Sequence, residues 1–270
     1  MHNDTGPKAF RCCGVRIDAV SFDDALDYLR TFSMDGRGRA VHLCNAWTLA
    51  LAQRNAAFAD AVDRGDLNLP DGTPLTWIGR RVGFEHMRRR VYGPDLMLAT
   101  AKAGRGWGLR HYLYGSTPVV IAALARRLAE LAPGIQIVGV ESPPFRALDK
   151  REESALVRRI TKARPHVVWV GLGTPLQDLF IDSFRDRLGA TLVAIGAAFD
   201  FIAGNKKQAP TWLQDHGLEW AFRLLTEPRR LWHRYLIGNT VFLAGVARGV
   251  EVCESSSSLS PNRPSATDQY

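Results

Sequence analysis

Val167-Val168-Trp169-Val170-Gly171-Leu172-Gly173-Thr174-Pro175-Leu176-Gln177-Asp178 decides the fold. Four apolar residues in succession, three of them valine, suit a strand buried on both faces. Two glycines then turn the chain, and positions 175–188 carry helical spacing. Outward from this stretch the same sequence of strand, turn and helix recurs. Strands are predicted at 41–44, 66–69, 111–114, 135–140 and 191–195. Helices are predicted at 46–63, from Thr73-Pro74 onward, at 118–131 and at 152–163. This rhythm predicts an α/β fold, a Rossmann-like parallel sheet with helices on both faces. Ligands in such sheets bind beyond the carboxyl ends of the strands. The loops after residues 44, 69, 114, 170 and 195 are therefore where chemistry is expected.

The α/β body is assigned to 11–210. From 211 to 250 the chain turns helical and rich in Arg and Trp, with Pro228 as a break, and reads as an appendage. Residues 1–10 are mixed and polar and look dispensable to the core. Residues 255–270 hold six Ser and two Pro, and this tail is expected to be disordered.

Composition narrows the class. The chain has 270 residues, 46% hydrophobic and 23% charged, which excludes a disordered chain, a collagen-like repeat and a disulfide scaffold. Cys12 and Cys13 are adjacent, Cys44 and Cys253 stand apart, and no CxxC pair exists. That argues against a structural zinc site and suits a reducing cytoplasm. There is no segment of signal-peptide type and no apolar run long enough to span a bilayer. A formal charge of +8 favours an anionic partner, whether nucleotide, nucleic acid or membrane surface.

Several loops have the residues for a binding site. Gly115-Ser116-Thr117-Pro118 leads a strand into a helix whose first N–H groups can hold a phosphate; a plain Ser/Thr-capped turn fits equally well. In the loop of Gly171 and Gly173 the backbone can approach a ligand closely, and Gln177 can read a nucleobase edge or a sugar hydroxyl. A Gln in that first turn more often caps its own helix. Asp71 follows a short strand and precedes a helix, where a carboxylate is favoured in its ionised form and can act as a general base. Asp-Gly is also a common turn pair. The histidines show no metal-ligand spacing, and His42 reads as a core residue. The arginines at 80, 81 and 88–90 read as a solvated face. In the stretch 229–243, Leu231, Trp232, Tyr235, Leu236, Phe242 and Leu243 share a helical arc opposite Arg230 and Arg234. Such a helix can lie on an anionic membrane or pack on the core.

Seven pieces occur together in order: VHLCNAWTLALA, LNLPDGTPLTWIGRRVG, RRVYGPDLM, LYGSTPVVIAALARRLAELAPGIQIVG, VGLGTPLQD, AIGAAFDFIAGNKKQAP and GLEWAFRLLTEPRRLWHRY. Over about 15–242 the chain resembles the WecG/TagA/CpsF glycosyltransferases. The resemblance implies an inverting transfer of a hexose-type sugar from a UDP-sugar to a polyprenyl-diphosphate-linked sugar, forming a β-glycosidic bond. It implies a role in exopolysaccharide, capsule or cell-wall polymer synthesis, peripheral attachment through the appendage to the inner face of the cytoplasmic membrane, and no metal or other cofactor. It makes Asp71 the base, gives Asn45 and Gln177 sugar-orienting roles, and matches Arg223, Arg229, Arg230 and Arg234 to appendage arginines that neutralise a diphosphate. Gly115, Ser116, Gly171 and Gly173 complete the expected substrate contacts. Leu43, Leu176 and Gln208 stand where Thr, Lys and Arg are common, so no catalytic threonine is carried over. The donor sugar and self-association stay open. A nicotinamide-dependent Rossmann oxidoreductase competes, but Asn45-Ala46-Trp47 follows the first strand of the parallel sheet where glycines would be required. No motif for reading nucleic acid is present, and no nucleic-acid partner is expected.

Overall fold

The computed structural model describes residues 6–144 and 146–253. The side chains of Thr211, Asp215 and Arg230, and the tail at 255–270, lie outside the described residues. The chain opens with a hairpin, β1 (Ala9–Cys12) and β2 (Val15–Asp18), then α1 (Phe22–Met34). Next come β3 (Arg39–Cys44), α2 (Ala46–Ala52), α3 (Ala56–Asp63), β4 (Leu67–Pro70), α4 (Thr73–Arg81) and α5 (Gly93–Ala103). The body continues with β5 (Arg110–Gly115), α6 (Pro118–Leu131), β6 (Gln136–Glu141), α7 (Lys150–Ala163), β7 (Val167–Gly171), α8 (Leu176–Leu188), β8 (Thr191–Ala194) and α9 (Ala198–Ile202). Helices α10 (Thr211–Asp215), α11 (Glu219–Thr226) and α12 (Pro228–Ala247) precede a last strand, β9 (Val250–Cys253).

Six strands form one parallel sheet in the order β4-β3-β8-β7-β5-β6. The uninterrupted apolar runs follow from burial of both faces. On one face Val41, Leu43, Leu113, Val167, Trp169, Val193 and Ile195 pack with Leu29, Leu96, Met97, Leu124 and Leu128. On the other, Ala40, Tyr112, Tyr114, Val168, Val170, Leu192 and Ala194 meet Leu156, Ile160, Ile181 and Phe184. The expected α/β architecture is thus the observed one.

Three details differ from the reading of the sequence. The helix expected at 46–63 is two helices, because Asn55 turns the chain and its Oδ1 accepts from the Phe58 N–H to start α3. Residues 9 and 10 are not dispensable: Phe10 is fully buried in β1, the central strand of a small antiparallel sheet ordered β2-β1-β9. The arc read in α12 is also rotated. Leu231, Gly238, Phe242 and Gly245 face inward, while Trp232, Leu236 and Leu243 face out. The cause is α2, whose Trp47 lies where any side chain at Gly238 would collide with its ring. Gln53, just after α2, donates to the Val241 carbonyl at 3.1 Å.

Candidate active site

The carboxyl ends of β4, β3, β8 and β7 open into a cleft of about 820 Å³, roofed by α11 and α12 with the turn at His216–Leu218. Its wall includes Asn45, Asp71, Gly171, Gly173, Gln177, Arg223 and Arg234. Seven expected positions, some read from the residues and some, such as Asn45 and Arg223, implied by the resemblance, therefore meet in one place. Gly115 and Ser116 do not line it. They end β5, one strand over, and the Ser116 N–H donates to the Gly171 carbonyl at 2.9 Å, so they brace the neighbouring loop.

Asp71 sits just beyond β4, and β3 dictates its position. Its N–H donates to the Cys44 carbonyl at 2.8 Å, and its Oδ1 accepts from the Gly93 N–H at 3.2 Å. Asn45 caps α2, with Oδ1 accepting from the Trp47 and Thr48 N–H groups, while its side chain also hydrogen-bonds Asp71. Burial raises the Asp71 pKa to about 6; Arg90 opposes the rise and Glu219 adds to it. A carboxylate tuned to that value is ionised at neutral pH and basic enough to accept a proton.

Arg90 is the residue that sequence reasoning missed. The basic run reads as a solvated face, yet Arg90 lines the cleft. One guanidinium nitrogen donates to Gln214 Oε1 at 2.8 Å and to Glu219 Oε2 at 2.6 Å, and the group stacks on Tyr92 at 4.0 Å. It joins the body to α11 beside Asp71. The available signal was the buried Val91-Tyr92-Gly93-Pro94 directly after it, which draws the end of the basic run inward.

On the opposite wall Gly173 adopts φ +79°, a left-handed conformation that glycine adopts without strain. Gln177 is buried, and its Oε1 accepts from the Gly173 N–H at 3.0 Å, so it closes its own loop while facing the cleft. Gly171 has no room for a side chain because Phe199 packs against it. Arg223 lies over the Phe201 ring and Arg234 over the Trp47 ring. Arg229 is exposed and does not line the cleft. Beneath the floor, His42 Nδ1 and Asp178 Oδ1 are 2.9 Å apart and fully enclosed. His42 is thus a core residue with one ring nitrogen paired, while Nε2 has no hydrogen-bond partner. Among the described residues no three His, Cys, Asp or Glu side chains gather as a metal-ligand set, and no helix is long and apolar enough to cross a membrane.

A cleft over the strand ends of a doubly covered parallel sheet defines an α/β protein of the ligand-binding kind. Residues 10–251 match the glycosyl transferase WecG/TagA/CpsF family, and the chain belongs to it. It is similar to an N-acetylglucosaminyldiphosphoundecaprenol N-acetyl-beta-D-mannosaminyltransferase of Bacillus spizizenii, 32% identical over 186 residues, 68% of this chain and 70% of the relative. A protein of the same description from Bacillus subtilis is 27% identical over 213 residues, 78% of this chain and 80% of that one.

Proposed function

We propose that the protein transfers a hexose-type sugar from a UDP-sugar to a polyprenyl-diphosphate-linked sugar, with inversion. The names of both relatives support a lipid-linked acceptor and make N-acetylmannosamine the first donor sugar to try. The observation that carries the reading is Asp71, tuned to about 6 and set in a cleft with Arg90, Arg223 and Arg234.

In this mechanism the acceptor hydroxyl attacks the anomeric carbon on the face opposite the UDP. Asp71 takes the hydroxyl proton. The bond from the anomeric carbon to the diphosphate oxygen breaks, and UDP leaves with the electron pair. Guanidinium groups meet the charge that grows on the diphosphate, where their effect on rate is largest. The glycine loops at 171–173 and 196 suit the donor side.

Trp77, Leu218, Trp220 and Leu243 are exposed apolar residues on the cleft wall, and Trp212, Leu225, Trp232 and Leu236 extend this surface along α10–α12. With neighbouring arginines they suit an anionic membrane surface and a prenyl chain. Peripheral attachment to the leaflet that holds the acceptor follows, as does a role in polymer synthesis.

The test is a panel of UDP-sugars, N-acetylmannosamine and glucose first, with a short-chain prenyl-diphosphate N-acetylglucosamine. Release of UDP together with a new lipid-linked disaccharide is expected for one donor. UDP release without acceptor, or no transfer from any donor, would overturn the reading.

A further inference from the structure

We propose that the basic turn between α4 and α5 is a docking surface for anionic phospholipid headgroups, with Trp77, Arg80, Arg81, Arg88 and Arg89 as its contacts. The inference rests on the membrane attachment proposed above and adds a second rim of the cleft to it. Trp77 is 48% exposed on the cleft wall. Arg80 and Arg81 follow it by three and four residues, so the three share the outer face of α4, while Leu75, Thr76 and Gly79 are buried. Arg88 and Arg89 lie at the far end of the turn, and all four arginines are exposed. Glu85 is the one acid between Trp77 and Arg90.

The turn holds these charges in a fixed place. The Phe84 N–H donates to the Gly79 carbonyl at 2.9 Å, and the Met87 N–H to the Phe84 carbonyl at 3.1 Å. Phe84 stacks on Phe10, Met87 is fully buried, and His86 Nε2 donates to the Ala19 carbonyl at 2.8 Å. Other surface arginines meet carboxylates, as Arg64 meets Asp182 and Arg146 meets Glu152. Among the described residues the guanidinium groups of Arg80, Arg81, Arg88 and Arg89 have no ion pair or hydrogen bond. Like charges gathered without a counter-charge in the protein attract an anionic partner.

Location selects lipid as that partner. Arg90, next to Arg89, bonds Gln214 of α10 and Glu219 of α11. Trp77 packs so closely on the turn at Gly217 that a side chain there would meet its ring at 3.2 Å. The arginines therefore border the elements that carry the exposed Trp212 and Trp220. Tryptophan beside arginine suits a surface at headgroup depth, and a lipid-linked acceptor has to reach the same cleft.

The test is flotation of the full chain with vesicles of phosphatidylcholine alone and of equimolar phosphatidylcholine and phosphatidylglycerol. Wild type should bind the anionic vesicles more tightly, and less so as salt rises. Arg80→Gln with Arg81→Gln, and Arg88→Gln with Arg89→Gln, should each weaken that binding about 5- to 25-fold, at about 5-fold per arginine. Arg151→Gln with Arg158→Gln removes the same charge from exposed positions of α7, beside β6 at the other edge of the sheet, and should change binding little. Glu85→Gln should tighten binding, a gain that a misfolded variant does not mimic. Binding equal to wild type in both arginine pairs, or an equal loss in the α7 pair, would overturn the assignment. Wild-type binding that is the same on both vesicles would leave the apolar attachment standing and overturn the arginine surface; binding to neither would overturn both. Duplex RNA bound more tightly than anionic vesicles, and lost in the arginine pairs, would give the surface to nucleic acid and overturn the lipid assignment.

Discussion

At the scale of single residues, the chemistry depends on how Asp71 is charged. Its carboxyl is raised to about 6 by burial, so kcat/KM should fall as pH drops through 6, with one proton taken up. Two neighbours set the position of that limb. Glu219 raises the Asp71 pKa, so Glu219→Gln should move the limb to lower pH; Arg90 lowers it, so Arg90→Gln should move it up. A pH–rate profile for each variant checks both signs, and a limb that stays put in both would remove Asp71 as the titrating base. Asp71→Asn should lose about 10²- to 10⁴-fold in turnover while UDP-sugar binding persists. Because the folded-state pKa exceeds the unfolded value, ionising Asp71 costs stability as pH rises between about 4 and 6. Asp71→Asn should therefore melt higher than wild type at pH 7, and the gap should shrink as pH falls toward 4. Calorimetry across that window reads it. Asp71 was legible because it stands between a strand and a helix start. Its coupling to Arg90 and Glu219 was not, because residues so far apart in the chain meet only through folding.

At the scale of elements, the parallel strands were legible because burial on both faces leaves unbroken apolar runs such as 167–170 and 191–194. The small sheet was not. Its strands are four residues each, of mixed polarity, and β1 pairs with β9 from the far end of the chain. Helix α1 had a local signal in Ser21 and Asp24, which cap its start reciprocally. The contact of α12 with α2 depends on glycine. Gly238→Leu should drive the helix off Trp47, shift the tryptophan emission and cut activity; wild-type spectra and rates would contradict the packing. Under the cleft, His42→Ala would leave the Asp178 carboxylate enclosed without its partner, at a cost of about 1–3 kcal/mol. Urea titration measures that loss, and a midpoint equal to wild type would mean the pair contributes nothing to holding the first turn of α8.

For the whole molecule, the exposed apolar residues are gathered largely on α10–α12 and the cleft rim. Leu225 is 83% exposed, Leu236 65% and Leu243 64%. If this surface meets lipid, the protein should float with anionic vesicles, and Trp232→Ser with Leu236→Ser should reduce the bound fraction several-fold; equal flotation of the variant would assign attachment elsewhere. The amphipathic pattern was visible in the sequence, but its division into a core stripe and an outer stripe needed α2 as the reference surface. The ladder that sets Ala9 opposite Cys253 has a further consequence. During synthesis β1 must wait until the whole parallel sheet and α10–α12 have been made before its second neighbour emerges. Until then β1 presents an unsatisfied edge beside the apolar side chain of Phe10, open to pairing with another chain.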